Sequence, residues 1–176
     1  AKALYENGLA VTTTLDPAMQ RLANASVEHG LRAYDKRHGW RRASRNVIKE
    51  HQTPEGYRDP RWKSPMRVGD VVPAVVAAIG KPAPAGAARL IVGPYQADLG
   101  KEGFAWTRRA SAADLFTVGD VIDVELRSID EAAGVVTVGL EQVPQAEAAM
   151  LVIDNRSGQV RAMVGGWDFQ RSKFNR

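Results

Sequence analysis

Hydrophobic and polar positions along the chain change texture three times. In residues 16–39, DPAMQRLANASVEHGLRAYDKRHG, apolar side chains recur at Met19, Leu22, Ala23, Val27, Leu31 and Tyr34. That spacing predicts a helix with one apolar face. Asp16 is a good N-cap, Pro17 suits the first helical position and Gly39 is a plausible stop. Gly30 weakens the pattern by about 1 kcal/mol relative to alanine. Ahead of the helix, GLAVTTTL (8–15) is rich in β-branched residues and predicts a strand. From Trp40 to Pro65 the periodicity vanishes. The stretch is polar and basic, with Pro54, Gly56, Pro60 and Pro65. It predicts a long irregular connection with one short helical turn, of the kind that often marks a boundary or a functional segment.

A second texture begins at Val68. RVGDVVPAVVAAIG reads as a strand of small and β-branched residues, and ARLIVGPYQADLG as two short strands around Gly93-Pro94. EGFAW reads as a further short extended piece and SAADLF as a single helical turn. In VGDVIDVELRSID, Val121, Asp123, Glu125 and Arg127 alternate against Ile122, Val124, Leu126 and Ser128, which predicts a long strand. EAAG is a turn and VVTVGLEQV a last strand. About five short strands with a short helix before the fourth predict a small β-barrel. Val68-Gly69-Asp70-Val71 recurs as Val118-Gly119-Asp120-Val121, a turn device used twice.

After Pro144 the texture changes again. AAMLVIDNRSGQVRAMVGG predicts a hairpin (149–165) turning at Asn155-Arg156-Ser157-Gly158. The apolar run from Ala148 to Ile153 does not alternate, so the expectation is a strand covered on both faces. The preceding strand and helix supply one cover, and the other covering layer is expected to be missing. The polar, basic run after the hairpin has no cap or closing helix, so the expectation is a piece of something longer.

Composition changes this picture little. With 44% hydrophobic and 25% charged residues the 176-residue chain is ordinary for a globular protein. It has no cysteine, and His29, His38 and His51 do not fall in a metal-ligand spacing, so neither a disulfide nor a metal centre is expected. The net charge of +4 is partly local. Arg32, Lys36, Arg37, Arg41, Arg42 and Arg45 stand against one acid, Asp35. Such a patch meets nucleic acid, anionic lipid or an acidic polymer, or is merely solvated.

Two segments carry a family resemblance. GLAVTTTLDPAMQRLANASVEHGLRAYDKRHGW resembles the segment that follows the glycosyltransferase domain in class A penicillin-binding proteins. LVIDNRSGQVRAMVGGWDFQRSKFNR resembles the first two strands of the transpeptidase domain in that family, most specifically at Ala162–Gly166 and Phe169–Arg176. The barrel between them looks like the OB-like insertion domain of 1a-type members. The resemblance implies an α+β fold, with a five-stranded OB-like barrel inserted into a partial sheet-plus-helix segment. It divides the chain into 1–39, 40–146 and 147–176. It also implies a bifunctional parent, anchored in the inner membrane and facing the periplasm, that polymerises glycan strands and cross-links peptide stems through an acyl-enzyme on serine.

The family motifs for that chemistry are S-x-x-K, S-x-N and K-T-G. No serine here has lysine three positions later and no K-T-G is present. Ser44-Arg45-Asn46 matches S-x-N by letters only. The expectation is therefore a non-catalytic docking or spacing module with no catalytic residue, no cofactor and no metal. In some gammaproteobacterial relatives the equivalent domain is implied to contact an outer-membrane lipoprotein activator. The alternative is an S1-type module binding single-stranded nucleic acid, in which Tyr95, Phe104 and Trp106 would stack bases beside Arg108 and Arg109. Core packing of those rings is the plainer expectation. Glycan contact through Trp40, Trp62, Trp106 and Trp167 is a third reading, which their spacing does not support.

Overall fold

The computed structural model describes residues 12–63, 65–81 and 83–167. The chain divides into two compact units, one of residues 1–31 with 146–176 and one of residues 32–145.

In the first unit, helix α1 (Pro17–Arg37) contributes its length up to Leu31. Asp16 caps it as expected, its Oδ1 accepting the N–H groups of Ala18 and Met19 at 2.8 and 3.2 Å. Ala23, Val27 and Leu31 pack on Met150, Val152, Ala162 and Val164 of an antiparallel hairpin. The hairpin strands are labelled by chain order as β6 (Met150–Ile153) and β7 (Val160–Val164). β6 alternates in burial, and Leu151, Ile153 and Met163 are about half exposed, so among the described residues the hairpin is covered on one face only. Residues 8–11 of the predicted first strand and the basic run 168–176 lie outside the described residues. Residues 12–15 form no strand, but the Thr14 hydroxyl donates to Val160 O at 2.6 Å and Asp16 N–H to Arg161 O at 2.9 Å. Gln20 continues along β7. Its amide accepts from Met163 N–H and donates to Met163 O, both at 2.9 Å, satisfying backbone groups that a neighbouring strand would otherwise take.

The second unit is a closed barrel of β1 (Val71–Ile79), β2 (Ala88–Val92), β3 (Tyr95–Leu99), β4 (Val121–Asp130) and β5 (Val135–Glu141), in the order β1-β2-β3-β5-β4. All pairings are antiparallel except β3 with β5, which is parallel and closes the barrel at Gln96–Val135. Of the two alternating sets in β4, Ile122, Val124 and Leu126 face inward and join Val76, Leu90, Leu99 and Leu140 in one core. Closure leaves the barrel with no long open edge.

The repeated Gly-Asp turn has a definite function in this barrel. Gly69 N–H donates to Leu126 O at 2.7 Å and Leu126 N–H to Asp70 O at 2.9 Å; Gly119 N–H donates to Val76 O at 2.7 Å and Val76 N–H to Asp120 O at 2.9 Å. The register slips just past each contact, between Val76 and Ala78 in β1 and between Leu126 and Ser128 in β4. Each turn thus clasps the bulged stretch of the opposite strand, and the β1–β4 seam is closed at both ends by the same device. Each glycine sits near φ +90°, a conformation side chains resist.

EGFAW is corrected: Lys101–Thr107 is 3-10 helix with a kink at Phe104, not an extended piece. Phe104 is fully buried in the barrel core. Gly103 lies so close to Leu99 and to Val138 O that a Cβ there would sit 2.5 and 3.1 Å from them. Tertiary contact against the barrel end therefore decides the conformation over local propensity. SAADLF forms the single turn expected, Ala112–Asp114, with a Ser111–Asp114 capping box.

Candidate functional site: the clamped stem and outer cleft of the barrel

The barrel unit is joined to the rest of the chain through residues that follow Arg32 and precede Ala146. These two stretches are held side by side by charge. Asp35, 4% exposed, accepts both Arg41 guanidinium nitrogens at 2.9 and 2.7 Å and the Gln145 N–H at 3.2 Å. Arg41 also donates to Val143 O at 2.7 Å, and its backbone N–H to Gln142 Oε1 at 3.1 Å. Gln142 in turn donates to Gly39 O at 3.0 Å. Burial pushes the Asp35 pKa up, but the Arg41 bonds and charge and the Gln145 N–H outweigh it and hold the carboxyl below its ordinary value. Next to Asp35 on the helix, Lys36 pairs with Glu141 at the end of β5, with Arg32 3.5 Å from the other carboxylate oxygen.

A second network fastens the irregular segment 40–65 to the barrel wall. Asn46 donates to Val118 O at 3.0 Å and Asp120 Oδ1 at 2.8 Å, and its own Oδ1 accepts the N–H groups of Ile48 and Lys49. Val47 is fully buried with Tyr57 and Val75. Arg45 forks onto Glu50 and reaches Tyr57 Oη at 2.9 Å, Tyr57 donates to Asp59, and Asp59 holds Arg61, which lies 3.4 Å from Asp123 on β4. Trp62 donates to Pro73 O at 2.8 Å. Trp40 stands edge-on to Trp106 and Phe116, with centroids 6.1 and 5.7 Å away. The segment is thus a second layer on the barrel.

Between this layer and β4–β5 lies a cleft of about 420 Å³, lined among others by Arg41, Arg42, Ser44, Asp123, Glu141 and Gln142. Asp123 and Glu141 are register partners on adjacent strands. Burial pushes the Asp123 carboxyl above its ordinary value, and Arg61 offsets only part of this. Two neighbouring carboxylates can do acid–base work, but each here is committed to a cation. Ser44 lines the same cleft.

The sequence-derived candidates fare differently. Of the basic patch, Arg32, Lys36, Arg41 and Arg45 have acid partners, and Arg37 lies over the Tyr34 ring at 5.7 Å. Arg42 has no acid partner among the described residues. Tyr95, Phe104 and Trp106 do not form a platform. Phe104 is fully buried, Tyr95 packs against the core, and Trp106 donates to Leu140 O at 3.1 Å with Lys36 over its ring. On the outer face of β2–β3, Arg89 is forked onto Asp98 at 2.9 Å. All four tryptophans are partly buried in packing roles. His38 sits on Tyr34, and no group of three or more metal-ligating side chains occurs among the described residues. Asn46 is a structural clasp. Glu141, Gln142 and Asp123 were not singled out from the sequence. The available signal was an acid and an amide at the end of an otherwise apolar strand, which need partners if buried.

Penicillin-binding protein 1A of Vibrio cholerae is 32% identical over 197 residues, a match covering 99% of this chain and 22% of that protein. Penicillin-binding protein 1A of Rickettsia felis is 35% identical over 175 residues, covering 98% of this chain and 20% of that protein. The chain belongs to the penicillin-binding protein 1A family. It spans about a fifth of the length of the curated relatives it matches. The crystal structure of penicillin-binding protein 1A from Haemophilus influenzae matches 99% of this chain and 26% of its own, with a TM-score of 0.70 at 25% identity. No family model matches. The family match runs through the barrel as well as both flanks, so the stem lies inside the matched region.

Proposed function

We propose that this chain is a non-catalytic docking and spacing module of a bifunctional peptidoglycan synthase. The parent would combine glycosyltransferase and D,D-transpeptidase activities, sit in the inner membrane and present this segment to the periplasm. The observation that carries the reading is the stem. A barrel whose outgoing and returning segments are bound to one another by Lys36 on Glu141, Arg41 on Val143 O and the Gln145 N–H on Asp35 is built to be inserted into a longer fold without disturbing it. The absence of S-x-x-K and K-T-G from the sequence supports a non-catalytic role. No helix among the described residues is long and apolar enough to cross a membrane.

Fluorescent penicillin tests this directly. The isolated chain is expected to remain unlabelled. The parent is expected to label with the barrel present and with residues 42–140 replaced by a short glycine-serine link. Labelling of the isolated chain, or loss of labelling in a folded parent lacking the barrel, would sink the proposal.

A further inference from the structure

Beside the stem the barrel unit holds a second, more enclosed cavity of about 250 Å³. Its walls come from Trp40, Arg42, Thr107, Arg109, Asp114 and Leu115. Arg42 and Arg109 are exposed, and neither has an acid partner among the described residues. Arg32, Arg41, Arg45, Arg61 and Arg89 of the same unit, by contrast, each face a carboxylate. The one acid in the wall, Asp114, is occupied by the Ser111 N–H in its capping box. Trp40 adds an indole whose Nε1–H is buried and donates to no group among the described residues. Arg108, in left-handed conformation at φ 58°, turns the chain between Thr107 and Arg109, and Thr107 Oγ1 accepts the Arg109 N–H at 3.3 Å.

We propose that this cavity takes a carboxylate presented by an acidic peptide segment of a protein partner. The inference rests on the docking reading above and gives it a place and a chemistry. Arg42 and Arg109 with Asp114 leave the wall one net positive charge, which one carboxylate balances, and a guanidinium offers a carboxylate a forked pair of donors. The indole and Leu115 give an apolar wall for the short aliphatic stem that bears it. The volume is below the range of roughly 300–1,000 Å³ used by small-molecule sites, which suits one side chain or chain end rather than a nucleotide. A nucleic-acid strand would need a continuous row of cations and stacking rings, and Tyr95, Phe104 and Trp106 do not supply such a platform.

The test is a titration of the full ¹⁵N-labelled chain with the peptide acetyl-Ala-Glu-Glu-Leu, bearing a free C-terminal carboxylate. The expected result is a saturable shift of the Trp40 indole N–H and of the Arg109 and Thr107 amides. The counterpart acetyl-Ala-Gln-Gln-Leu-amide should leave them in place. Arg42→Gln and Arg109→Gln should each weaken binding roughly ten-fold, as expected for one charged hydrogen-bonding partner. Arg67→Gln, which removes the same charge elsewhere, should change nothing. The assignment is overturned if the shifts are absent, if Arg67→Gln weakens binding equally, or if inorganic phosphate produces them with the same affinity. None of those outcomes bears on penicillin labelling, so this site can fail while the docking module stands.

Discussion

Replacing Asp35 by asparagine keeps the shape of the stem and removes its charge. The wild-type carboxylate accepts two bonds from Arg41 and one from the Gln145 N–H. Asparagine retains one acceptor and turns an amide N–H₂ towards a guanidinium that can only donate. Breaking a fully buried ion pair costs about 3–5 kcal/mol. The Arg41 side chain is 33% exposed and can rehydrate, so the expected loss is smaller, about 2–3 kcal/mol. Urea unfolding followed by tryptophan fluorescence reads the barrel unit directly, because Trp40 and Trp106 pack on its core. With a slope of roughly 2 kcal/mol per molar urea the midpoint should fall by about 1 M with the slope unchanged. A cycle with Arg41→Met should give a coupling of about 1.5 kcal/mol or more. The sign of the pH dependence is fixed as well. The folded pKa of Asp35 lies below the ordinary value of 3.8, so its contribution is complete above about pH 4 and is lost as pH falls through the folded value. Wild type and Asp35→Asn should therefore converge in acid. A midpoint shift under about 0.2 M at pH 7, or a gap that persists unchanged well below pH 3, would refute the clamp.

Three further outcomes are expected. Gly69 and Gly119 share a φ near +90°, but a Cβ at Gly69 meets nothing within 4 Å whereas one at Gly119 falls 2.7 Å from Asn46 Oδ1; Gly69→Ala should cost about 1 kcal/mol and Gly119→Ala distinctly more in the same urea assay, and equal costs would show that the loop contact is immaterial. Asp123 has a raised folded pKa, so the stability gained by protonating it is present below its unfolded value and lost as pH rises through the folded one; Asp123→Asn should be at least as stable as wild type at pH 7, and a marked loss in its melting curve would contradict this. Phe104→Ala should cost about 3–5 kcal/mol by calorimetry, since the ring is fully buried, and a surface-like effect would restore the stacking role.

Strands β2, β3 and β4 alternate because each buries one face, while β1, buried continuously from Val72 to Val76, was legible from its small and β-branched residues. Asp16 as a cap and the Gly-Asp turns were legible because their chemistry is local. What escaped was set by partners distant in sequence. EGFAW looked extended until Gly103 is seen against Leu99 and Val138. The basic patch looked unbalanced because Glu141, which takes Lys36 and Arg32, lies more than 100 positions away. The segment 40–65 looked irregular because Asn46, Tyr57 and Trp62 hold it through contacts that leave no period. At β6 the burial differs between faces because α1 covers only one.

The clamped stem also has an entropic consequence. Lys36 and Glu141 are separated by 105 positions. While the barrel is folded, the chain on either side behaves as though a short loop joined it. If the barrel melts alone, the flanking elements must hold the ends of a disordered loop of that length, at a closure cost of about 4 kcal/mol. The barrel thus acts as a staple whose failure is felt by the fold that carries it.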